Sequence, residues 1–213
     1  MKRAAQGTAA AARAVRATKI AALLAGACLL AGCAATPPDR YYRLLAPSEA
    51  APALLPPGPR PAVAVAAVSV PEIVDRPQIV TLGPGSEVRL SEQHRWAEPL
   101  KLAIGRLVAD RLSQVLGGAL VSAYPAEPAA DTAYRVSLNV QRFDSELGVA
   151  AHTTVLWTVR RLADGQQRSG RSALRTVPAD AGLDALTTAH AQALAGIADE
   201  IARDIAALAR APQ

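Results

Sequence analysis

The chain has 213 residues, of which 51% are hydrophobic and only 3% aromatic, and it carries 23 basic and 18 acidic side chains. The apolar share excludes a wholly disordered chain, and the length suffices for one domain with a core of Val, Leu, Ile and Ala. The net charge of +5 does not describe that domain, because the basic excess lies at the N-terminus.

The N-terminus has the three parts of a secretory signal. Five basic residues and no acidic one come first, and the apolar run of residues 20–30 follows. That run is shorter than the roughly 20 residues that a membrane-spanning helix needs. Small residues at Ala31 and Gly32 then precede Cys33, as at a cleavage site. The sequence Leu30-Ala31-Gly32-Cys33 resembles the lipobox of bacterial lipoproteins. The resemblance implies cleavage between Gly32 and Cys33, and a diacylglycerol and an N-acyl chain, such as palmitate, on Cys33.

Removing residues 1–32 as a signal peptide changes what the composition means. Of 213 residues, 181 remain, with 18 basic and 18 acidic side chains and no net charge. A nucleic-acid-binding role needs a basic surface and so loses its support. Cys28 is removed, and an acylated Cys33 leaves no thiol for a disulfide or a cysteine metal site. The alternative is that Cys33 is an ordinary small core residue.

The acyl chains would anchor the protein stably, because two or three chains bind a bilayer far more strongly than one. In lipoproteins of enterobacterial type, an aspartate after the acylated cysteine favours retention in the inner membrane. This chain has Ala34 at that position. The lipoprotein resemblance therefore implies the outer membrane, with the domain on the periplasmic face.

Proline shapes the next part of the chain, since eight of the 16 prolines lie in residues 36–61. We predict a lipid-anchored tether over residues 33–40, a strand over 41–45 and a non-helical loop over 47–61. The apolar, β-branched residues 63–70 predict a strand that is buried on both faces. Two short strands, 78–82 and 87–90, flank Gly83-Pro84-Gly85-Ser86, which lacks the lysine and following helix of a phosphate loop and indicates a turn.

The second half of the chain predicts two helices and three strands. Apolar residues three and four apart indicate a helix over 98–116, ended by Gly117-Gly118. Alternating residues indicate strands around 134–143 and 153–159, with a bulge between Val140 and Phe143. The turn at Asp164-Gly165 leads to a strand over 168–177.

An apolar stripe predicts a last helix over residues 183–208, which we expect to pack on the sheet rather than on a partner. The order of strands, helix, strands and helix predicts an α+β fold. We expect a single domain over residues 41–210, with a mostly antiparallel sheet and two main helices packed on it.

Motifs for catalysis and metal binding are absent from the sequence. His94, His152 and His190 are far apart, and neither His-Glu-x-x-His nor Gly-x-Ser-x-Gly occurs. We interpret His152 and His190 as ordinary structural residues. We interpret a charged stripe on the last helix as a solvated face, namely Asp199, Glu200, Arg203 and Asp204. We therefore predict no catalytic residue, no metal and no cofactor other than the acyl chains, and no enzymatic activity.

Two polar, proline-punctuated segments stand out. The first is VPEIVDRPQIV at residues 70–80 and the second is HRWAEPL at residues 94–100. Trp and Arg are favoured anchors of protein interfaces. We therefore predict a partner surface that contains Asp75, Arg76, Pro77 and Trp96. The local alternative is that Asp75 pairs with Arg76 and that Trp96 packs against the start of the following helix.

These two segments, with YYRL at residues 41–44, FDS at residues 143–145 and the closing helix, resemble the ABC-type transport auxiliary lipoprotein family. That family includes the paraquat-inducible protein C-like lipoproteins. The resemblance covers essentially the whole chain after the leader. One departure is Ile73-Val74, where relatives often carry an aromatic residue and a leucine.

The resemblance implies a non-catalytic outer-membrane component of an intermembrane transport system. Such a protein would dock a periplasm-spanning MCE-domain protein and, through it, an inner-membrane permease or ABC complex. Phospholipid or another apolar molecule is the implied cargo. Self-association into a homo-oligomer would suit a tubular partner, and the sequence neither predicts nor excludes it.

Two other functions compete with this interpretation. A lipoprotein that activates or scaffolds a periplasmic cell-envelope enzyme would have the same anchor, but residues 34–40 are too short a tether to cross a cell wall. A lipoprotein hydrolase is disfavoured because its catalytic motifs are missing.

Overall fold

The structure is a computed structural model that describes residues 37–48 and 52–211. The predicted signal peptide, its cleavage site at Gly32 and Cys33, and residues 34–36 of the tether lie outside the described residues. The strands are β1 (Arg40–Tyr42), β2 (Ala62–Val65), β3 (Gln78–Leu82), β4 (Val88–Trp96), β5 (Val121–Ala123), β6 (Thr132–Glu146), β7 (Ala150–Arg161) and β8 (Gln167–Thr176). The helices are α1 (Leu100–Val115) and α2 (Leu183–Arg210), with a short 3-10 helix at Glu72–Val74.

The large sheet has the strand order β5-β2-β6-β7-β8. Strand β2 is parallel to both of its neighbours, whereas β6, β7 and β8 form an antiparallel meander. All four residues of β2 are buried, as expected for a central strand that is apolar on both faces. The sequence predicts a strand over residues 63–70, but the strand in the structure is shorter and ends at Val65. Beyond Val65 the chain still follows β6, but only one isolated bridge, Ser69 to Asn139, continues the pairing.

The small sheet has the order β1-β4-β3. Strands β3 and β4 are antiparallel, and the short β1 runs parallel to β4. The turn predicted at residues 83–86 joins β3 to β4, where the Gly83 N–H donates to the Glu87 carbonyl at 2.9 Å. The fold is thus α+β, as predicted, with two mixed sheets and two helices.

The two helices pack against each other and on the same side of the large sheet, α1 next to β2 and β5 and α2 next to β7 and β8. Their apolar residues and alternate residues of β6 and β7 form one core, which includes Ile104, Leu112, Val136, Val155 and Ile201. The bulge predicted in β6 is confirmed, because the register with β7 shifts between Val140 and Arg142.

The interpretation of the α2 charged stripe as a solvated face is wrong for three of its four residues. Arg111 of α1 binds Asp199 through two N–H···O contacts of 2.8 and 3.0 Å. From β8, Arg168 binds Asp204 at 2.6 Å, and the Ser172 hydroxyl donates to Glu200. These carboxylates lie at the edges of the apolar stripe, where they reach the neighbouring elements, and of the four residues only Arg203 is exposed.

Candidate functional site

The two segments singled out in the sequence meet at the start of α1. The 3-10 helix Glu72–Val74 turns the chain so that Arg76 and Pro77 enter β3 beside the end of β4. The Trp96 N–H donates to the Pro77 carbonyl at 2.7 Å, and the Arg76 N–H donates to the Val74 carbonyl at 2.9 Å. Residues far apart in sequence are thereby fixed side by side by backbone hydrogen bonds.

A pocket of about 520 Å³ lies at this junction. All four residues of the predicted partner surface line it. The lining is Asp75, Arg76, Pro77, Trp96, Ala97, Glu98, Pro99, Leu100 and Lys101. We call it the α1 pocket. Its role in binding a partner stays a prediction, but its residues are brought together as the sequence suggested.

Trp96 lines the α1 pocket as a buried residue and not as an exposed anchor. Only 6% of its surface is accessible, and its ring meets Phe143 edge to face, with ring centroids 6.3 Å apart. Trp96 therefore joins the small sheet to the core that β6 helps to form. This is close to the local alternative, in which the ring packs beside the start of the helix. By contrast, Asp75 and Pro77 are exposed and Arg76 is half-buried.

Charges around the α1 pocket are paired with one exception. Asp75 does not pair with Arg76 but binds Lys101 of α1 at 3.2 Å. Glu98 binds Arg106 at 2.6 Å. Among the described residues, no carboxylate lies within ion-pair distance of Arg76, and its buried Nε has no hydrogen-bond acceptor. A partly buried guanidinium without a counter-charge is unfavourable, so an incoming carboxylate or phosphate would find an unused donor here.

The charged side chains that line the pocket balance, with Arg76 and Lys101 against Asp75 and Glu98, and the start of α1 adds a partial positive charge. Pro99 precedes the helix, no side chain caps it, and its first turn contains no acidic residue. The first N–H groups of a helix have no partner within the helix and carry a partial positive charge. The α1 pocket therefore favours an acidic group over a basic one.

A second cluster, buried between α2 and the sheet, was not recognised from the sequence. His190 of α2 lies between two hydroxyls, with Ser145 Oγ and Thr153 Oγ1 each 2.9 Å from a ring nitrogen. Its ring stacks on Phe143 at 3.8 Å between centroids. Burial, and to a smaller extent the charge of His152, lowers the pKa of His190 from 6.5 to about 3.

This serine–histidine contact is structural. His190 is 1% exposed, and Ser145 and Thr153 are at most 3% exposed, so no substrate can reach the hydroxyl. A neutral imidazole donates from one nitrogen and accepts at the other, which satisfies both neighbours. The interpretation of His190 as a structural residue therefore agrees with its position. His152 lies on the opposite face of β7, where its Nε2 is 3.4 Å from Glu146.

Sequence comparison assigns the chain to a family. The family model described as "ABC-type transport auxiliary lipoprotein component" matches residues 42–202. The chain belongs to this family. Its members are lipoproteins that act as auxiliary components of transport, which places this chain in the same class. A search of curated protein sequences gives no significant match.

Solved structures share the fold. A crystal structure titled only as an uncharacterized protein has a TM-score of 0.64 and 20% identity, and the match covers 79% of this chain and 99% of that one. A protein from Xanthomonas campestris, of the DUF330 family, has a TM-score of 0.58 and 19% identity over 76% of this chain and 92% of that one. At these identities the similarity concerns the fold.

Within residues 37–48 and 52–211, neither helix is long and apolar enough to span a bilayer. In the same part of the chain, no three His, Cys, Asp or Glu side chains are grouped as a metal site.

Proposed function

We propose that this chain is a non-catalytic lipoprotein that docks a transport partner at the periplasmic face of the outer membrane. Acyl chains on Cys33 hold it there. The partner is an MCE-domain protein that spans the periplasm and connects to an inner-membrane permease or ABC complex. Phospholipid or another apolar molecule is the cargo. Membership of the auxiliary lipoprotein family supports the general role, and the sequence around Cys33 supports the anchor.

The observation that carries the docking proposal is the convergence of two distant segments in the α1 pocket. The first segment leads into β3 and the second leaves β4 for α1, and the hydrogen bond from the Trp96 N–H to the Pro77 carbonyl holds them side by side. Among the described residues, the half-buried Arg76 has no carboxylate partner, although the chain after the leader has as many acidic as basic side chains. An acidic side chain of the partner would pair with Arg76 and be favoured by the start of α1.

Co-purification from the native host tests this proposal. The acylated wild-type protein is expected to bring down an MCE-domain protein, identified by mass spectrometry. Arg76→Glu should lose that partner because it replaces the unpaired cation with a repelling charge. Arg203→Glu, an equal charge change on the exposed side of α2, should retain it.

The docking site, the partner and the lipid anchor can each be refuted by a different result. Full recovery of the partner by folded Arg76→Glu would refute docking at the α1 pocket. Absence of any MCE-domain protein with the wild type would refute the partner. Mass spectrometry of the mature protein tests the anchor independently, and an unmodified Cys33 thiol would refute it.

A further inference from the structure

The large sheet leaves one face of β6, β7 and β8 uncovered by the helices. Side chains alternate along a strand, so the neighbours of core residues such as Val136 and Val159 point away from α2. On β8, Ser172 contacts α2, which puts Arg171 on the other side. We call this exposed side of β6, β7 and β8 the outer face. Five of its exposed residues are arginines, of which Arg142 binds Asp144 on the same strand. The other four are Arg135, Arg160, Arg171 and Arg175.

Apart from Arg142, the outer-face arginines have no acidic partner in the part of the chain that the structure describes. Among the described residues, none of these four has a carboxylate within 4 Å. Arg171 contacts only the Gln141 amide oxygen at 3.4 Å, and Arg175 donates to the Val149 carbonyl at 3.2 Å. The acidic groups nearby are already engaged, since Asp144 binds Arg142 and Glu146 faces His152.

The register places two of the arginines directly opposite each other. Arg135 of β6 pairs with Arg160 of β7. Directly opposed side chains on neighbouring antiparallel strands lie about 5 Å apart at Cβ, and like charges there are destabilising. Other arginines of the domain, such as Arg106 and Arg168, pair with carboxylates instead. An anion shared between the two guanidiniums would convert the repulsion into binding.

We propose that the outer face binds the anionic phospholipid surface of the membrane. Guanidiniums bind phosphate groups through paired N–H donors. The residues from Arg160 to His152 cover roughly 26 Å of strand, which spreads the arginines along an extended sheet surface rather than in a pocket. Cations spread over such a length can each contact a different headgroup of a bilayer. In a lipoprotein acylated at Cys33, Arg40 would lie within about 25 Å of the bilayer, so the domain would remain close to those headgroups.

This contact is distinct from partner docking, because it uses neither the α1 pocket nor Cys33. Vesicle binding tests the proposal, with a truncated protein that begins at Ala34 and therefore has no acylated cysteine. This chain retains the compact unit that starts at Asp39. Its folding is checked by circular dichroism. The vesicles contain three parts phosphatidylethanolamine and one part phosphatidylglycerol, and vesicles of phosphatidylcholine alone serve as the uncharged comparison.

The wild type should sediment with the anionic vesicles and not with the uncharged ones. Binding should weaken when salt rises from about 0.1 M to about 1 M, since the screening length falls from about 10 Å to about 3 Å. Each arginine near an anionic surface contributes about a fivefold change in affinity. Arg135→Gln with Arg160→Gln should therefore weaken binding about 25-fold.

The matched control is Arg43→Gln with Arg203→Gln, which removes two exposed arginines from β1's flank and from α2. It should bind the anionic vesicles like the wild type. Equal losses in both double variants, or equal binding of the wild type to uncharged vesicles, would overturn the proposal. So would absence of vesicle binding together with self-association in sedimentation velocity that Arg135→Gln with Arg160→Gln abolishes. In that case a second copy, and not lipid, would cover the outer face.

Discussion

The buried His190 should make the stability of the domain depend on pH in a defined direction. In the folded protein burial lowers its pKa to about 3, whereas the unfolded chain retains a value near 6.5. Below pH 6.5 the unfolded chain therefore binds a proton that the folded chain does not. Stability from this residue is complete above pH 6.5 and is lost progressively as the pH falls toward 3.

The size of the effect follows from the difference in pKa. Each pH unit in this window costs about 1.4 kcal/mol, so the free energy of unfolding should fall by about 2 kcal/mol between pH 7.5 and pH 5 through His190 alone. Urea unfolding, followed by circular dichroism at both pH values, measures the total change.

A variant isolates the contribution of His190. His190→Gln keeps hydrogen-bonding groups for Ser145 and Thr153 but does not titrate, so its stability should fall about 2 kcal/mol less over the same pH interval. Each variant is compared with itself at the two pH values, so any constant loss of stability cancels. Parallel pH profiles of the wild type and His190→Gln would refute the reasoning.

Three further predictions concern the core, a close contact and the helix pair, each measured by urea unfolding. Ile201→Ala should lower the free energy of unfolding by about 2–5 kcal/mol, because Ile201 is fully buried. Val177→Ala, at 61% exposure, should change it by less than about 0.5 kcal/mol. Gly170→Ala should destabilise by about 1–3 kcal/mol, since its new methyl would overlap the Trp157 ring, and unchanged stability would show that the indole can move away. Arg111→Met should cost about 1–3 kcal/mol by leaving Asp199 without its partner on α1, and additive losses in the double variant with Asp199→Asn would show that the pair is not coupled.

Local patterns in the sequence predicted most of the secondary structure. The α2 stripe, the β6 alternation and the bulge after Val140 repeat with the period of their own element, so they can be recognised without knowing the fold. The sequence did not predict which strands pair with each other. Strand β2 is central and parallel on both sides, and its neighbours β5 and β6 are separated from it by more than 50 residues. No local pattern specifies such partners.

The contacts of the charged residues on α2 also could not be predicted from local sequence patterns. Spacing along a helix tells which residues share a face, but it does not tell where the edge of a neighbouring element lies. Asp199 and Asp204 flank the apolar stripe closely enough for Arg111 and Arg168 to reach them. His190 also lies within the buried stripe, and its two hydroxyl partners come from β6 and β7. Only the assembled sheet brings those hydroxyls to the imidazole.

The position of Trp96 determines how docking can be tested. Sequence alone favours it as an interface anchor, and its replacement would be the natural first experiment. Trp96 is buried against Phe143, however, and truncating a buried tryptophan typically costs about 3–5 kcal/mol. That is a large part of the stability of a domain of this size, so a lost partner would report unfolding as readily as lost contact. Arg76 is half-buried and has no carboxylate partner within the described ranges, so replacing it changes the charge of the α1 pocket while leaving the packing of Trp96 intact. A loss of partner in Arg76→Glu with unchanged urea unfolding would therefore assign the contact to the pocket itself.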